Sequence, residues 1–251
     1  MKQNWCIEKG EKKKMKKNEL KQKNSVDYHM IIWYFLIFSV LGLILETVYG
    51  YLTMGKWESR KGLVIGPFCP IYGMGAVIFI LLLTRYQDSK MKLFVLGASL
   101  GTIIEYVLSY GLEALYGNRF WDYSYTKYHL NGRVSLIYSV FWGLLAVILI
   151  KVFKPWIDRQ VQKIKETTKK KLEIALYTFF VINAMLTVWA INGYTKRAYT
   201  AYENKNGIYV EEEKSTKMNE RVFSNSRMEK IFPNLRIYDE EGNAIFIRDI
   251  L

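Results

Sequence analysis

Residues 30–55 read MIIWYFLIFSVLGLILETVYGYLTMG, an apolar run that contains a single carboxylate, Glu46. A helix needs about 20 predominantly apolar residues to cross a hydrocarbon core about 30 Å thick, and this run is long enough. Four further apolar runs follow, at 70–86, 93–115, 134–153 and 174–194. The sequence therefore predicts an all-α fold, a polytopic membrane bundle with about five transmembrane helices.

The composition agrees with this class of protein. Apolar residues make up 51% of the 251 residues, and aromatic residues make up 16%. The mean hydropathy of -0.01 is near zero because a lysine-rich head and a polar tail offset the apolar middle. We expect three parts: a basic, disordered head at 1–27, a five-span membrane domain at 28–194, and a polar exterior tail at 195–251. The head has no apolar core, so it is not expected to be a signal peptide.

The distribution of basic residues predicts the orientation. The net charge is +13, and nine basic residues lie between Lys2 and Lys23 while eight lie between Lys151 and Lys171. The connections after the first and third spans hold three each. By the positive-inside rule the N-terminus is cytoplasmic, and five crossings leave the tail outside. The same charge would attract anionic lipid at the cytoplasmic face. Nucleic-acid binding is not expected, because no aromatic–basic platform accompanies the lysines.

Glu46 continues a stripe of small and polar residues along one face of the first span. At three- and four-residue spacing this face carries Ser39, Gly42, Glu46, Tyr49, Gly50 and Thr53. Small residues permit close helix approach, so another helix is expected to pack there. Three interpretations of Glu46 remain open: a structural hydrogen bond, a carboxylate that binds ligand or protons, or placement at the surface by a short or tilted span.

The third span repeats this design. Gly97 and Gly101 form a GxxxG motif, and Glu105 follows one turn later. An ionised carboxylate at mid-membrane is penalised by roughly 2.5–3.5 kcal/mol on insertion scales, so Glu105 needs a partner or a wet cavity. The fourth span adds a stripe made of Ser135, Ser139, Gly143 and Ala146. These stripes suggest a shared polar interior, in which Glu46 and Glu105 would share a proton if they met.

Two connections are predicted to cover the outer mouth of the bundle. Pro67 and Pro70 interrupt any helix in the first, WESRKGLVIGPFCPIYGMG at 57–75, so it is expected to be a structured loop. The second, at 118–136, is dense in aromatic residues, which is typical of an interfacial belt. Alternatively, its residues Trp121, Asp122, Tyr123 and Arg133 line a binding mouth.

The residues predicted to form an intramembrane or outer-mouth binding site are Glu46, Arg60, Glu105, Asp122 and Arg133. No catalytic residue, metal ligand or cofactor is predicted, because the two cysteines and the two histidines are isolated in the sequence. The end of the tail, IFPNLRIYDEEGNAIFIRDIL, predicts a β-hairpin with strands around the turn residues DEEGN.

Successive motifs give the chain a family resemblance. They are LILETVYGYL, RKGLVIGPFCPIYGMG, IIEYVLSYGLEALYGNRFWDYS and NGRVSLIYSVFWG. In this order, over about residues 30–160, they resemble the ABC-transporter type IV permease family of the CmpB type. The resemblance implies a bacterial cell-membrane permease. Because no GxxxxGK[ST] motif occurs in the chain, it also implies a separate ATP-binding subunit.

Other interpretations stay open beside the permease. The amphipathic segment 154–173 would serve as a coupling element for an ATPase, or would lie on anionic lipid. A bundle of this size favours a homodimer or a partner permease. The chain could instead be a membrane scaffold or sensor that uses its tail for interaction. Finally, an intramembrane lipid-modifying enzyme would use Glu46, Glu105 and Asp122 for acid–base chemistry.

Overall fold

The computed structural model describes residues 26–116, 122–205, 214–239 and 241–251, and most of them are helical. The helices are α1 (Ile31–Met54), α2 (Pro70–Leu83), α3 (Lys90–Tyr116), α4 (Leu136–Ile148), α5 (Lys154–Val161), α6 (Glu166–Lys205), α7 (Lys214–Val222) and α8 (Asn225–Ile231). The strands are β1 (His129–Leu130), β2 (Val134–Ser135), β3 (Arg236–Tyr238) and β4 (Ala244–Phe246). The predicted all-α class with a small hairpin in the tail is thus confirmed.

Four helical segments are long and apolar enough to cross a membrane. They are Tyr28–Met54, Lys90–Gly111, Leu136–Val161 and Glu166–Lys205. The second predicted span forms a shorter apolar helix, Pro70–Tyr86. Large apolar side chains stand exposed on these helices, among them Leu45, Ile103, Leu144 and Val181. Such surfaces suit contact with lipid tails, which fits a membrane protein.

The chain divides into two compact units, and the first contains Ala76–Lys163. Its core is the α3–α4 pair, in which glycines bring the two backbones together. A Cβ at Gly97 would overlap the Cβ of Ala146, and one at Gly143 would lie 2.8 Å from the Phe94 carbonyl oxygen. The predicted stripes on these two spans therefore pack against each other. Between α3 and α4, β1 and β2 form a two-residue antiparallel ladder.

A π-helical turn, Leu149–Phe153, connects α4 to α5 within the first unit. Pro155 follows at the start of α5, and its missing N–H and its ring both oppose a regular α-helix there. The helix α5 has its apolar residues Ile157 and Val161 buried in protein. A helix that lies on the membrane surface by that face would instead expose these two residues, whereas on α5 the side chain of Trp156 is exposed.

The second unit contains Ile32–Gly75 and Ile164–Leu251. Its helix α6 has 40 residues, and at 1.5 Å per residue it is about 60 Å long, twice the thickness of a hydrocarbon core. The predicted span covered only 174–194, because a hydropathy pattern detects the apolar stretch and misses the helix-forming Glu, Lys and Ala residues on either side. At its N-terminal end, the buried Glu173 accepts a hydrogen bond from Trp33 Nε1 at 3.2 Å.

The tail folds onto the C-terminal half of α6. The buried residues of this core are Val64, Ala190, Tyr194, Ala198, Phe223, Met228, Ile237 and Ile247. Arg197 is buried with them, and its guanidinium donates to Asn225, Asn219 and the Phe223 carbonyl at 2.7–2.9 Å. The β3–β4 hairpin pairs Arg236 with Phe246. The tail is therefore a packed element that shares one hydrophobic core with α6 and Val64.

Candidate functional site

Glu46 lies on the small-residue stripe of α1, within the second unit. Gly42, one turn earlier, is buried, and a Cβ there would overlap the ring of Tyr72. The absent side chain lets Tyr72, at the start of α2, lie against α1, and its hydroxyl donates a hydrogen bond to Glu46 Oε2. Glu46 itself is half-buried. The carboxylate therefore has a protein partner and also retains access to its surroundings.

Arg60 packs against α1 one turn beyond Glu46, because the connection after α1 runs back along the helix. A Cβ at Gly50 would lie 3.1 Å from Arg60 Nη2, and the same guanidinium contacts Met54 Sδ at 3.3 Å. The Tyr72 hydroxyl is within electrostatic range of both Glu46 and Arg60. We refer to Glu46, Tyr72 and Arg60 as the Glu46 group. Two of the five predicted site residues thus belong to one group.

A cavity of about 290 Å³ adjoins the Glu46 group. It is lined by Leu43, Thr47, Trp57, Glu58, Ser59, Arg60 and Lys61. Trp57 also stacks on Tyr51, with ring centroids 4.3 Å apart. The cavity thus combines apolar walls from α1 and Trp57 with two cationic side chains.

Cys69 stands in the loop before α2, beside the same group. Its backbone N–H donates to the Ser39 carbonyl at 2.9 Å, which ties the loop to α1. Burial raises the pKa of the Cys69 thiol, and the negative charge of Glu46 raises it further. The thiol therefore stays protonated at neutral pH, which argues against a nucleophilic role.

Two side chains of α6 satisfy the non-helical backbone of the loop. Asn183 binds both polar groups of Ile65: its Oδ1 accepts from the backbone N–H at 3.2 Å, and its Nδ2 donates to the carbonyl at 2.8 Å. Thr187 Oγ1 accepts from the Val64 N–H at 3.0 Å. Irregular backbone at membrane depth requires such partners. The four-residue spacing of two polar residues inside an apolar span was a signal that could have identified them.

Residues of the tail bond to two residues that line the cavity, Ser59 and Glu58. Ser59 Oγ donates to the Ile231 carbonyl at 2.8 Å, and Arg248 Nη1 lies 3.3 Å from Glu58 Oε1. Desolvation acts to raise the pKa of Glu58, but hydrogen bonds from Asn234 and Arg248 and the nearby positive charges outweigh it and hold the pKa below its usual range. The tail therefore positions the segment that carries Arg60.

Glu105 occupies a different environment, within the first unit. It is buried, and it accepts hydrogen bonds from Tyr123 Oη at 2.8 Å and from Trp142 Nε1 at 3.2 Å. A Cβ at Gly101 would overlap the Trp142 side chain, so the GxxxG motif creates the space for one of these donors. Burial, the hydrogen bond to Glu105 and the charge of Glu105 all raise the pKa of Tyr123. The phenol therefore remains a hydrogen-bond donor.

Arg133 and Asp122, the other two predicted residues of the first unit, also have partners of their own. Arg133 is buried, forms an ion pair with Glu113, and donates to Ser109 Oγ at 3.3 Å. Asp122 is exposed and accepts hydrogen bonds from Ser124, two residues later. Trp121, the remaining member of the suggested binding mouth, lies outside the described residues.

The predicted site residues thus fall into two sets. Glu46 and Arg60 belong to the second unit, beside a cavity. Glu105, Asp122 and Arg133 belong to the first unit and have the hydrogen-bond and ion-pair partners described above. A meeting of Glu46 and Glu105 stays a prediction.

The chain matches the model of a known protein family. A family model described as "Putative ABC-transporter type IV" matches residues 33–188, which is more than half of the chain. The matched segment contains both carboxylates, the loop with Arg60, and the residues of α6 that clamp this loop. Neither the curated proteins nor the solved structures gave a match.

Proposed function

The chain belongs to this ABC-transporter type IV family, and from that premise we propose that it is the membrane permease subunit of an ATP-driven transporter. The observation that carries the proposal is the match over 33–188, which coincides with four helices of membrane-spanning length. The sequence has no phosphate-binding GxxxxGK[ST] motif. In this proposal, ATP hydrolysis therefore takes place on a separate subunit.

We place the permease as a multi-pass protein in a bacterial cell membrane, with the N-terminus in the cytoplasm. Two segments rich in lysine and arginine, Lys2–Lys23 and Lys151–Lys171, support this orientation. With Pro70–Tyr86 as a fifth, short crossing, the packed tail lies outside. A homodimer or a second permease chain would supply the additional helices that a transport pathway needs.

The Glu46 group is the proposed polar site of the permease. Glu46 is half-buried and accepts a hydrogen bond from Tyr72. Arg60 packs against Gly50, one turn further along α1, beside the cavity. A site that changes its occupant during transport needs polar groups that remain accessible. Glu105, buried and bound by two donors, suits a structural role instead.

The exposed basic residues at the start of α6 are the proposed contact for the ATPase. The accessible surface there is formed by charged side chains such as Lys170 and Lys171. The same lysines suit anionic lipid head groups, and the partner experiment below separates the two.

The test is a pull-down of the tagged full-length protein from its native membrane in mild detergent, followed by mass spectrometry. We expect a stoichiometric ATP-binding subunit, and we expect its recovery to fall sharply for the double variant Lys170→Glu, Lys171→Glu. Lys205→Glu, at the opposite end of the same helix, is the matched control and should retain the partner. Recovery of the wild-type protein alone would overturn the proposal.

The packed tail supports a second candidate, a membrane scaffold or sensor. Four buried tail residues, Phe223, Met228, Ile237 and Ile247, pack in one core with residues of α6, which is more than an unstructured appendage requires. This candidate predicts that an exterior protein is recovered through the tail, with no ATP-binding subunit. The same pull-down distinguishes it from the permease.

A further inference from the structure

We propose that the cavity beside the Glu46 group binds an anionic phospholipid, with its phosphate at Arg60 and Lys61 and the upper part of an acyl chain against α1. This inference deepens the proposed function, on which it rests for the role of the site, because it names the class of ligand. Binding itself can be measured without the ATPase, so the two proposals can fail separately.

The walls of the cavity fit a molecule that is partly apolar. Leu43 and Thr47, one turn apart on α1, line the cavity together with Trp57. From Met54, the last residue of α1, Leu43 lies three turns away, or about 16 Å along the axis. The volume of about 290 Å³ is too small for a whole lipid, but it accommodates a head group and the first part of a chain.

The charges at the cavity favour an anionic head group. Among the described residues, the hydrogen bond of the Arg60 guanidinium goes to Met54 Sδ, a weak acceptor. A guanidinium has five N–H donors in a planar fork that matches phosphate oxygens, so most of this capacity is unused. Lys61 adds a second positive charge, while Glu58 is engaged by Arg248.

The aromatic pair places this charge at the level of lipid head groups. Trp57 and Tyr51 stack with their ring planes 14° apart, and both side chains are exposed. Tryptophan and tyrosine are enriched at the boundary between hydrocarbon and water. A lipid in the cavity would thus keep its phosphate at the interface and its chain along α1, as it does in the bilayer.

The charge of Glu46 predicts in which direction a substitution there should change the affinity for lipid. Its carboxylate lies one turn from Gly50, the residue against which Arg60 packs, and would repel a bound phosphate. Glu46→Gln retains an acceptor for the Tyr72 hydroxyl and removes the negative charge. This variant should therefore bind anionic lipid more tightly than the wild type, whereas Arg60→Gln should bind it more weakly.

The experiment is a titration of the purified full-length protein in neutral detergent, with phosphatidylglycerol as the probe. Phosphatidylcholine with the same chains is the neutral control, and inorganic phosphate is the soluble competitor. We expect Arg60→Gln to weaken phosphatidylglycerol binding about tenfold, because the substitution removes one charge-assisted hydrogen bond to the phosphate. Arg60→Lys should recover part of it. Lys56→Gln removes an exposed cation from the same loop outside the cavity lining and should change binding less than twofold.

Three outcomes would overturn the inference. Equal affinity for the two lipids would show that charge is not recognised. Equal effects of Arg60→Gln and Lys56→Gln would show that attraction is not localised at the cavity. Displacement of the lipid by inorganic phosphate at similar concentration would indicate a soluble phosphorylated ligand. Melting temperatures verify that each variant is folded. Loss of lipid binding in Arg60→Gln with the ATPase still recovered would separate this inference from the proposed function.

Discussion

Two membrane carboxylates that look alike in the sequence have different surroundings in the protein. Glu105 is 8% exposed and accepts hydrogen bonds from Tyr123 and Trp142. Glu46 is half-buried, and beside Tyr72 it has an arginine and a cavity. Both follow small residues on the same helix face, Ser39 and Gly42 before Glu46 and Gly97 and Gly101 before Glu105, and both accept a hydrogen bond from a tyrosine hydroxyl. The difference lies in how many donors each carboxylate has and in what remains accessible.

The partners of each carboxylate indicate which region holds the fold together and which region binds a ligand. A buried acceptor that satisfies two donors contributes to the fold, because its removal leaves both donors unpaired. A half-buried acceptor beside a cationic cavity can exchange partners at little cost to the fold. We therefore assign a structural role to the Glu105 region and a binding role to the Glu46 region.

The largest expected effect tests how tightly the Glu105 region is packed. Gly101→Ala places a methyl group into the Trp142 side chain and should lower the free energy of unfolding by about 3 kcal/mol. Gly111→Ala on the same helix is the matched control, since a Cβ there meets nothing within 4 Å. It should be neutral or stabilising by up to about 1 kcal/mol. Denaturant titration in detergent measures both, and equal losses would contradict the packing.

A direct contrast of the two carboxylates should give the next largest effect. Glu105→Ala leaves two donors unpaired in a buried place and should cost about 2 kcal/mol. Glu46→Ala leaves one partly buried hydroxyl and should cost less than about 1 kcal/mol. The same unfolding assay applies. A larger loss for Glu46→Ala would break the assignment of structural and binding roles.

The loop beside the Glu46 region should depend on α6. Asn183→Ala removes both hydrogen bonds to the Ile65 backbone and should destabilise the loop locally by about 1 kcal/mol. Hydrogen exchange should then accelerate at Val64 and Ile65. Asn192→Ala, an exposed asparagine on the same helix, should leave these amides unchanged. Unaltered exchange in Asn183→Ala would show that the loop does not depend on the two hydrogen bonds with Asn183.

The smallest effect is a pH dependence of the contact between tail and cavity wall. Because the folded protein lowers the pKa of Glu58, its contribution to stability is present above the ordinary glutamate pKa of about 4.3 and is lost as pH falls through the folded value. Limited proteolysis of the tail should therefore accelerate slightly below about pH 4. Arg248→Gln should reduce this acid sensitivity. Equal pH responses of wild type and variant would refute the role of the pair.

The sequence predicted the helical class, the tail hairpin and the packing stripes, because hydropathy and small-residue spacing are local signals. It also selected Glu46, which the structure joins to Tyr72, and Arg60, which packs against α1 one turn further along. It did not identify Tyr72, Asn183 or Thr187, whose partners lie in distant segments of the chain. The extent of α6 was underestimated, since helix formation continues through polar residues after hydropathy falls.

The most direct test of binding at the Glu46 region compares Glu46→Gln with Glu105→Gln in a phosphatidylglycerol titration of the folded, detergent-purified protein. Each change removes one charge and preserves shape, so the pair isolates electrostatics at the two regions. We expect Glu46→Gln to tighten binding about threefold or more, and Glu105→Gln to leave the affinity unchanged. An unchanged affinity in Glu46→Gln, or an equal shift in both variants, would contradict the assignment of binding to the Glu46 region.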